Sequence, residues 1–209
     1  MKHPALLLTF ILPMAVASSE QENTVMDKPA IITFQIQHEA FSFLGIENKV
    51  TPDPHQTDFG KIWDNFFKVG GWGKIEPYQK EKHALNVWYY KDNGETLIYH
   101  IGKIVENVDT VPGGYSLAKF PACEFLVVTT EWMATHAEAV GDNGNGRCNR
   151  YADTVQIPDG YARYDGPGNP FHLVERENFH TGEGSRYEVW VPIKKVDDSK
   201  SETKHKDER

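Results

Sequence analysis

From Ala30 onward, hydrophobic and polar positions alternate: Ile32, Phe34 and Ile36 fall on one side, and Thr33, Gln35 and Gln37 on the other. A period of two predicts a half-buried strand. After a polar, proline-containing loop the period changes. In TDFGKIWDNFFKVGG, Phe59, Ile62, Trp63, Phe66 and Phe67 recur at helical spacing, with Asp58 at the N-cap and Gly70-Gly71 as the stop. ALNVWYY and ETLIYHIG then return to alternation, and the KDNG between them carries Asn93-Gly94, a hairpin turn signal.

The second half repeats this order more weakly. GYSLAKFPACEFLVVTT is strand material with a break at Pro121. A helical region falls within 132–156, interrupted by GDNGNG, and Cys148, Tyr151, Ala152 and Val155 share its later stripe. FHLVERENF and RYEVWVPI form a closing hairpin. The pattern therefore predicts an α+β fold: two pseudo-symmetric β-α-β-β units over 28–196, with a charged, non-periodic tail at 197–209 expected to be disordered.

The chain's beginning reads differently. Lys2 and His3, an apolar run from Ala5 to Val16, and Ala15-Val16-Ala17 match the three parts of a secretory signal peptide. Residues 1–17 are expected to be removed and the protein exported. Export makes the two cysteines of interest, because an oxidising compartment favours pairing. Cys123 and Cys148 read either as a disulfide or as two buried thiols; in an exported protein the bridge is expected. The net charge of −8 opposes general nucleic-acid binding, and no apolar run is long enough to span a membrane.

One position breaks the pattern. Glu175 stands among Phe171, Leu173 and Val174 in what reads as a strand. A buried carboxylate is costly unless something compensates it. It reads either as a rim residue paired with Arg176 or as part of a ligand pocket. Trp88 and Tyr90 share a strand face with Asn86, opposite Leu85, Val87 and Tyr89, which read as helix-facing. Trp190 alternates with Val189 and Val191 in the same way, and Tyr99 lies on the partner strand of the hairpin. Together these aromatics suit a stacking pocket, although each alone could cap a sheet face. Trp63, on the helix's apolar stripe, reads as core.

Taken in order, FLGI, FGKIWDNFF, YHIGKIVENVDTVPGGY, FPACEFLVV, DGYARYDGPG, HLVERENF and YEVWVPIK resemble the GyrI-like small-molecule-binding domain, also called the AraC-type effector-binding domain. The resemblance implies one curved antiparallel sheet, helices on one face and an aromatic pocket on the other. It also implies that Glu175 sits at the pocket floor, with Trp88, Tyr90, Tyr99 and Trp190 as ligand-binding aromatics. The implied ligand is a small aromatic or cationic organic molecule. The GDNGNG loop departs from the family pattern, and the stretch between residue 17 and the domain is too short for a helix-turn-helix, so a regulator role is not carried over.

Two other roles stay open beside binding or sequestration. Some relatives hydrolyse ring-strained compounds, and Glu175 would then be the general base. Haem carriers of related architecture also exist, but none of the nine histidines stands in an axial-ligand context. No metal or other cofactor is expected. HExxH is absent, His136-Ala137-Glu138 lacks the P-C-x-x-C of zinc deaminases, and Asp142 to Asp153 places glycines where a calcium loop needs ligands.

Overall fold

The computed structural model describes residues 30–51, 53 and 56–196. The expected leader at 1–17 and the tail at 197–209 lie outside the described residues. Nine strands follow in chain order: β1 (Ile31–His38), β2 (Phe41–Val50), β3 (Leu85–Lys91), β4 (Thr96–Val105), β5 (Ser116–Phe120), β6 (Cys123–Thr130), β7 (Tyr161–Arg163), β8 (Leu173–Thr181) and β9 (Gly184–Lys195). The helices are α1 (Phe59–Val69), α2 (His136–Ala139) and α3 (Asn145–Thr154). Among these described residues, no helix is long and apolar enough to cross a membrane.

All the strands join one antiparallel sheet in the order β1-β6-β9-β8-β3-β4-β2-β5, with β7 added on β9. Outward from the centre, β3-β4-β2-β5 on one side matches β8-β9-β6-β1 on the other. The two expected units are present, but each lends its first strand to the other's edge. The opening strand of the sequence is two strands. β1 runs to His38 opposite Cys123 of β6, and β2 starts at Phe41 and pairs with β4 and β5. Pro121 makes the corresponding break between β5 and β6.

Local chemistry explains the elements. The Asp58 side chain accepts from the Lys61 backbone N–H at 3.1 Å, capping α1, and Gly70 ends it at φ 135°. The β3–β4 turn needs positive φ at Asn93 (56°) and Gly94 (97°), which Asn-Gly supplies at little cost. Gly45 and Gly102 face each other across β2 and β4. A methyl on Gly45 would lie 2.0 Å from the Ile101 carbonyl oxygen, so only glycine admits this close coiling. A capping box between Thr135 and Glu138 starts α2, and α3 begins inside the GDNGNG segment at Asn145.

The faces of the sheet differ from expectation. Leu85, Val87 and Tyr89 do not meet the helices. They join Phe41, Phe43, Phe120, Phe125, Phe171 and Trp190 in an aromatic core on the opposite face, around which the sheet curls. Ring centroids of Phe120–Phe171 and Phe125–Phe171 are both 5.1 Å apart. The helices pack on the other face, at its flanks. α1 lays Phe66, Ile62 and Trp63 on Leu44, Ile46 and Ile101, and α3 lays Cys148 and Ala152 on Leu126, Val128 and Val189. Phe67 and Tyr151, expected on those stripes, are 58% and 44% exposed.

The expected disulfide is corrected by the same geometry. Cys123 shares its face of β6 with Phe125 and Val127 in the aromatic core, whereas Cys148 lies in the core under α3. Both are buried free thiols on opposite sides of the sheet. Strand alternation is the reason: Leu126 and Val128 face α3, and the odd-numbered residues cannot.

Candidate functional site

The centre of the sheet is the seam between β3 and β8, where Asn86 pairs with Glu175 and Trp88 with Leu173. With α1 on one flank and α3 on the other, no helix among the described residues covers this seam. The gap is a cavity of about 620 Å³, within the range of small-molecule sites. Phe59 and Trp63 of α1 form one wall, and Asn145, Asn149 and Asp153 of α3 the facing one. Trp88, Tyr99, Leu173, Glu175 and Glu177 come from the sheet beneath. The pocket therefore lies on the helix-bearing face, not on the far face implied by the resemblance. The far face is filled because the sheet curls onto its own aromatics.

Glu175 is 7% exposed and held from two sides. The Tyr187 hydroxyl donates to its Oε1 at 2.5 Å and Trp88 Nε1 to its Oε2 at 2.9 Å. Burial pushes its carboxyl above the usual range, and those two donors pull against it. Arg176 is not its partner. That guanidinium points to the other face, 3.6 Å from Glu188 and 4.9 Å from the Trp190 ring centroid.

Glu177 projects on the same side as Glu175. Asn86 Nδ2 donates to its Oε1 at 2.7 Å and the Tyr99 hydroxyl lies 3.4 Å from the same atom. Burial first, and then the charge of Glu175, raise its carboxyl to about 7. Burial and the two glutamates push the Tyr99 and Tyr187 hydroxyls well above their ordinary value, so both remain donors. With Asp153, the cavity lining holds three acids and, among the described residues, no lysine or arginine. His172 also lines it; burial lowers its pKa, and its buried Nδ1 has no hydrogen-bond partner among the described residues.

The aromatic walls meet at angles. Trp88 and Tyr99 centroids lie 4.6 Å apart, and Phe59 stands edge-on to Tyr99 at 5.3 Å. A second cavity of about 180 Å³ shares Trp63 and Glu177 with the first and adds Phe67, Trp72, Ala84, Asn86 and His136. Among the described residues no group of three or more His, Cys, Asp or Glu is placed to hold a metal ion.

Of the residues singled out in the sequence, Glu175, Trp88 and Tyr99 come together here. Tyr90 stands behind His172, ring centroids 5.5 Å apart, outside the lining. Trp190 lies in the aromatic core on the other face, its Nε1 donating to Glu188 Oε2 at 2.9 Å. Trp63, expected in the core, lines both cavities. Glu177, Tyr187, Asp153, Asn149 and His172 were not anticipated. Glu177 carried a signal, since a residue two beyond Glu175 on a strand shares its face. The α3 residues carried none.

The family model for the integron-associated effector binding protein matches residues 36–193. Among solved structures, SAV2435 bound to tetraphenylphosphonium superposes with a TM-score of 0.58 at 14% identity, over 78% of this chain and 94% of that one. A putative bacterial transcription regulation protein from Staphylococcus aureus MU50 gives 0.53 at 14% identity, over 79% of this chain and 99% of that one. At such identities these likenesses concern the fold. No curated protein sequence gives a significant match.

Proposed function

The chain belongs to the integron-associated effector-binding protein family, and we propose that it binds a lipophilic aromatic cation in the cavity between α1 and α3. The observation that carries this reading is Glu175, a carboxylate fixed by Trp88 and Tyr187 under an aromatic cavity lined by acids and by no lysine or arginine among the described residues. A buried acid with no cationic partner among the described residues gains most from an organic cation, which brings charge without a tightly held water shell. The faces of Trp88 and Tyr99 add cation–π attraction, on the order of 1–2 kcal/mol. The solved SAV2435 structure, similar in fold, is bound to a ligand of this class. Both oxygens of Glu175 already accept hydrogen bonds, which suits a fixed countercharge better than a proton-abstracting base.

Tryptophan fluorescence during titration with tetraphenylphosphonium tests the proposal against tetraphenylborate, which has the same shape and opposite charge. Saturable quenching by the phosphonium alone is expected. Equal binding of the borate, or no binding of the phosphonium, overturns it. We also propose that the protein acts after export, on the strength of the leader pattern at residues 1–17. N-terminal sequencing of the mature chain should begin at or near Ser18, and an intact Met1 refutes export.

A further inference from the structure

The sheet floor of the site carries two acids where one cation needs only one. Glu175 has a hydrogen-bond donor on each carboxylate oxygen, Tyr187 on Oε1 and Trp88 on Oε2. Glu177 takes both of its donors, Asn86 and Tyr99, on Oε1, which leaves Oε2 without a hydrogen-bond donor among the described residues. Glu177 and Trp63 are also the residues common to the large and small cavities, so the second acid stands where the two compartments meet. The small cavity continues the aromatic lining with Phe67 and Trp72. The two carboxylates lie two positions apart on β8, beside the bulge between Arg176 and Phe179, near enough for the charge of Glu175 to act on Glu177. A single cation seated at Glu175 would leave Glu177, at the junction of the two cavities, without a cationic partner.

We propose that the preferred ligand carries two cationic groups on a flat aromatic frame, one held at Glu175 in the large cavity and the other at Glu177 at the mouth of the small one. This rests on the cation-binding reading above and narrows the ligand class within it. Asp153, on α3 at the far wall, would then act on both heads through the general field and would not choose between ligands with one or two.

A matched pair of probes tests it: benzyltrimethylammonium, and p-xylylenebis(trimethylammonium), which adds a second head across the same ring. Titrations by calorimetry at pH 8 keep Glu177 ionised, above the value of about 7 to which burial raises it. The parent protein should bind the dication about tenfold tighter than the monocation, more than two equivalent heads give by chance. Glu177→Gln, which still accepts from Asn86, should abolish that preference, the dication losing at least about tenfold more affinity than the monocation. Asp153→Asn should keep the preference. Equal affinity of the parent for both probes overturns the proposal and leaves cation binding standing. A preference that survives Glu177→Gln, or follows Asp153, also overturns it. Failure of both probes in a protein that still binds tetraphenylphosphonium overturns the proposal, and failure of all three overturns the cation reading itself. The parent titrations decide the matter even if a variant folds poorly.

Discussion

Tyr187 on β9 donates its hydroxyl to Glu175 Oε1 on β8 at 2.5 Å, in a region where the tyrosine is fully buried. Glu175 pairs in register with Val189, so Tyr187 reaches it diagonally along the same face of the sheet. This bond does two things. It fixes the direction of the carboxylate, and it favours the ionised form against the burial that opposes it.

Tyr187→Phe should therefore raise the Glu175 pKa, because a donor to the charged form is lost and the burial remains. Tetraphenylphosphonium affinity should weaken at neutral pH and recover in more alkaline buffer. Affinity measured across pH is the check. A uniform loss at every pH would make Tyr187 a packing residue and nothing more.

Glu175→Gln should leave the empty protein as stable as the parent or more so. It removes a charge that is costly to bury, and the Tyr187 hydroxyl can turn to accept from the amide nitrogen. Phosphonium binding should fall by about 1–3 kcal/mol, the scale of a charge-assisted contact in a desolvated site. Urea unfolding beside ligand titration separates the two effects, and outright unfolding would mean that the acid is structural.

The two tryptophans should behave oppositely. Trp88→Phe replaces the indole face with a smaller, weaker one and removes a donor from Glu175, so ligand affinity should drop about tenfold. Trp190→Phe acts on the far side of the sheet. It should cost on the order of 1–2 kcal/mol of stability, from lost packing and the lost hydrogen bond to Glu188, without changing affinity. Equal loss of binding in both variants would contradict the placement of the cavity.

Glu177 should give a pH-dependent stability. Between an ordinary carboxyl value of 4.5 and its raised value of about 7, the folded chain holds a proton that the unfolded chain has released. Its contribution is thus fully present below the lower value and lost as pH rises through the upper one. Relative to the parent, Glu177→Gln should be more stable at pH 8 than at pH 5, by on the order of 1–3 kcal/mol. Urea unfolding of both proteins at the two pH values reads the difference directly.

Thiol titration under denaturing, non-reducing conditions should find two reactive groups per chain, since Cys123 and Cys148 lie in cores on opposite faces of the sheet. Burial holds each thiol at about 11, which keeps both unreactive in the folded protein. A single bridged species would require one strand face to be reversed.

The sequence by itself determined what is local. Asp58 and Gly70 bound α1, Asn93-Gly94 turns β3 into β4, Pro121 divides β5 from β6, and the repeated order of elements predicts the two units. Each of these rests on a cap, a turn angle or a periodicity carried by neighbouring residues. The acid at Glu175 was conspicuous for the same reason: a charge among apolar neighbours is costly wherever the strand lies. Only the tertiary structure decided which face of the sheet each period-two stripe would meet. Alternation shows that Leu85 and Val87 oppose Asn86 and Trp88, but it is silent on whether helices or another part of the sheet cover either stripe. Because the sheet curls around Phe120, Phe125 and Phe171, the aliphatic stripe is closed by the sheet itself. Trp190 and Cys123 go with that stripe. The helices are left to flank, not cover, the seam where Glu175 pairs with Asn86, and the cavity exists because long-range pairing of β3 with β8 leaves a gap between α1 and α3 that no stretch of sequence encodes alone.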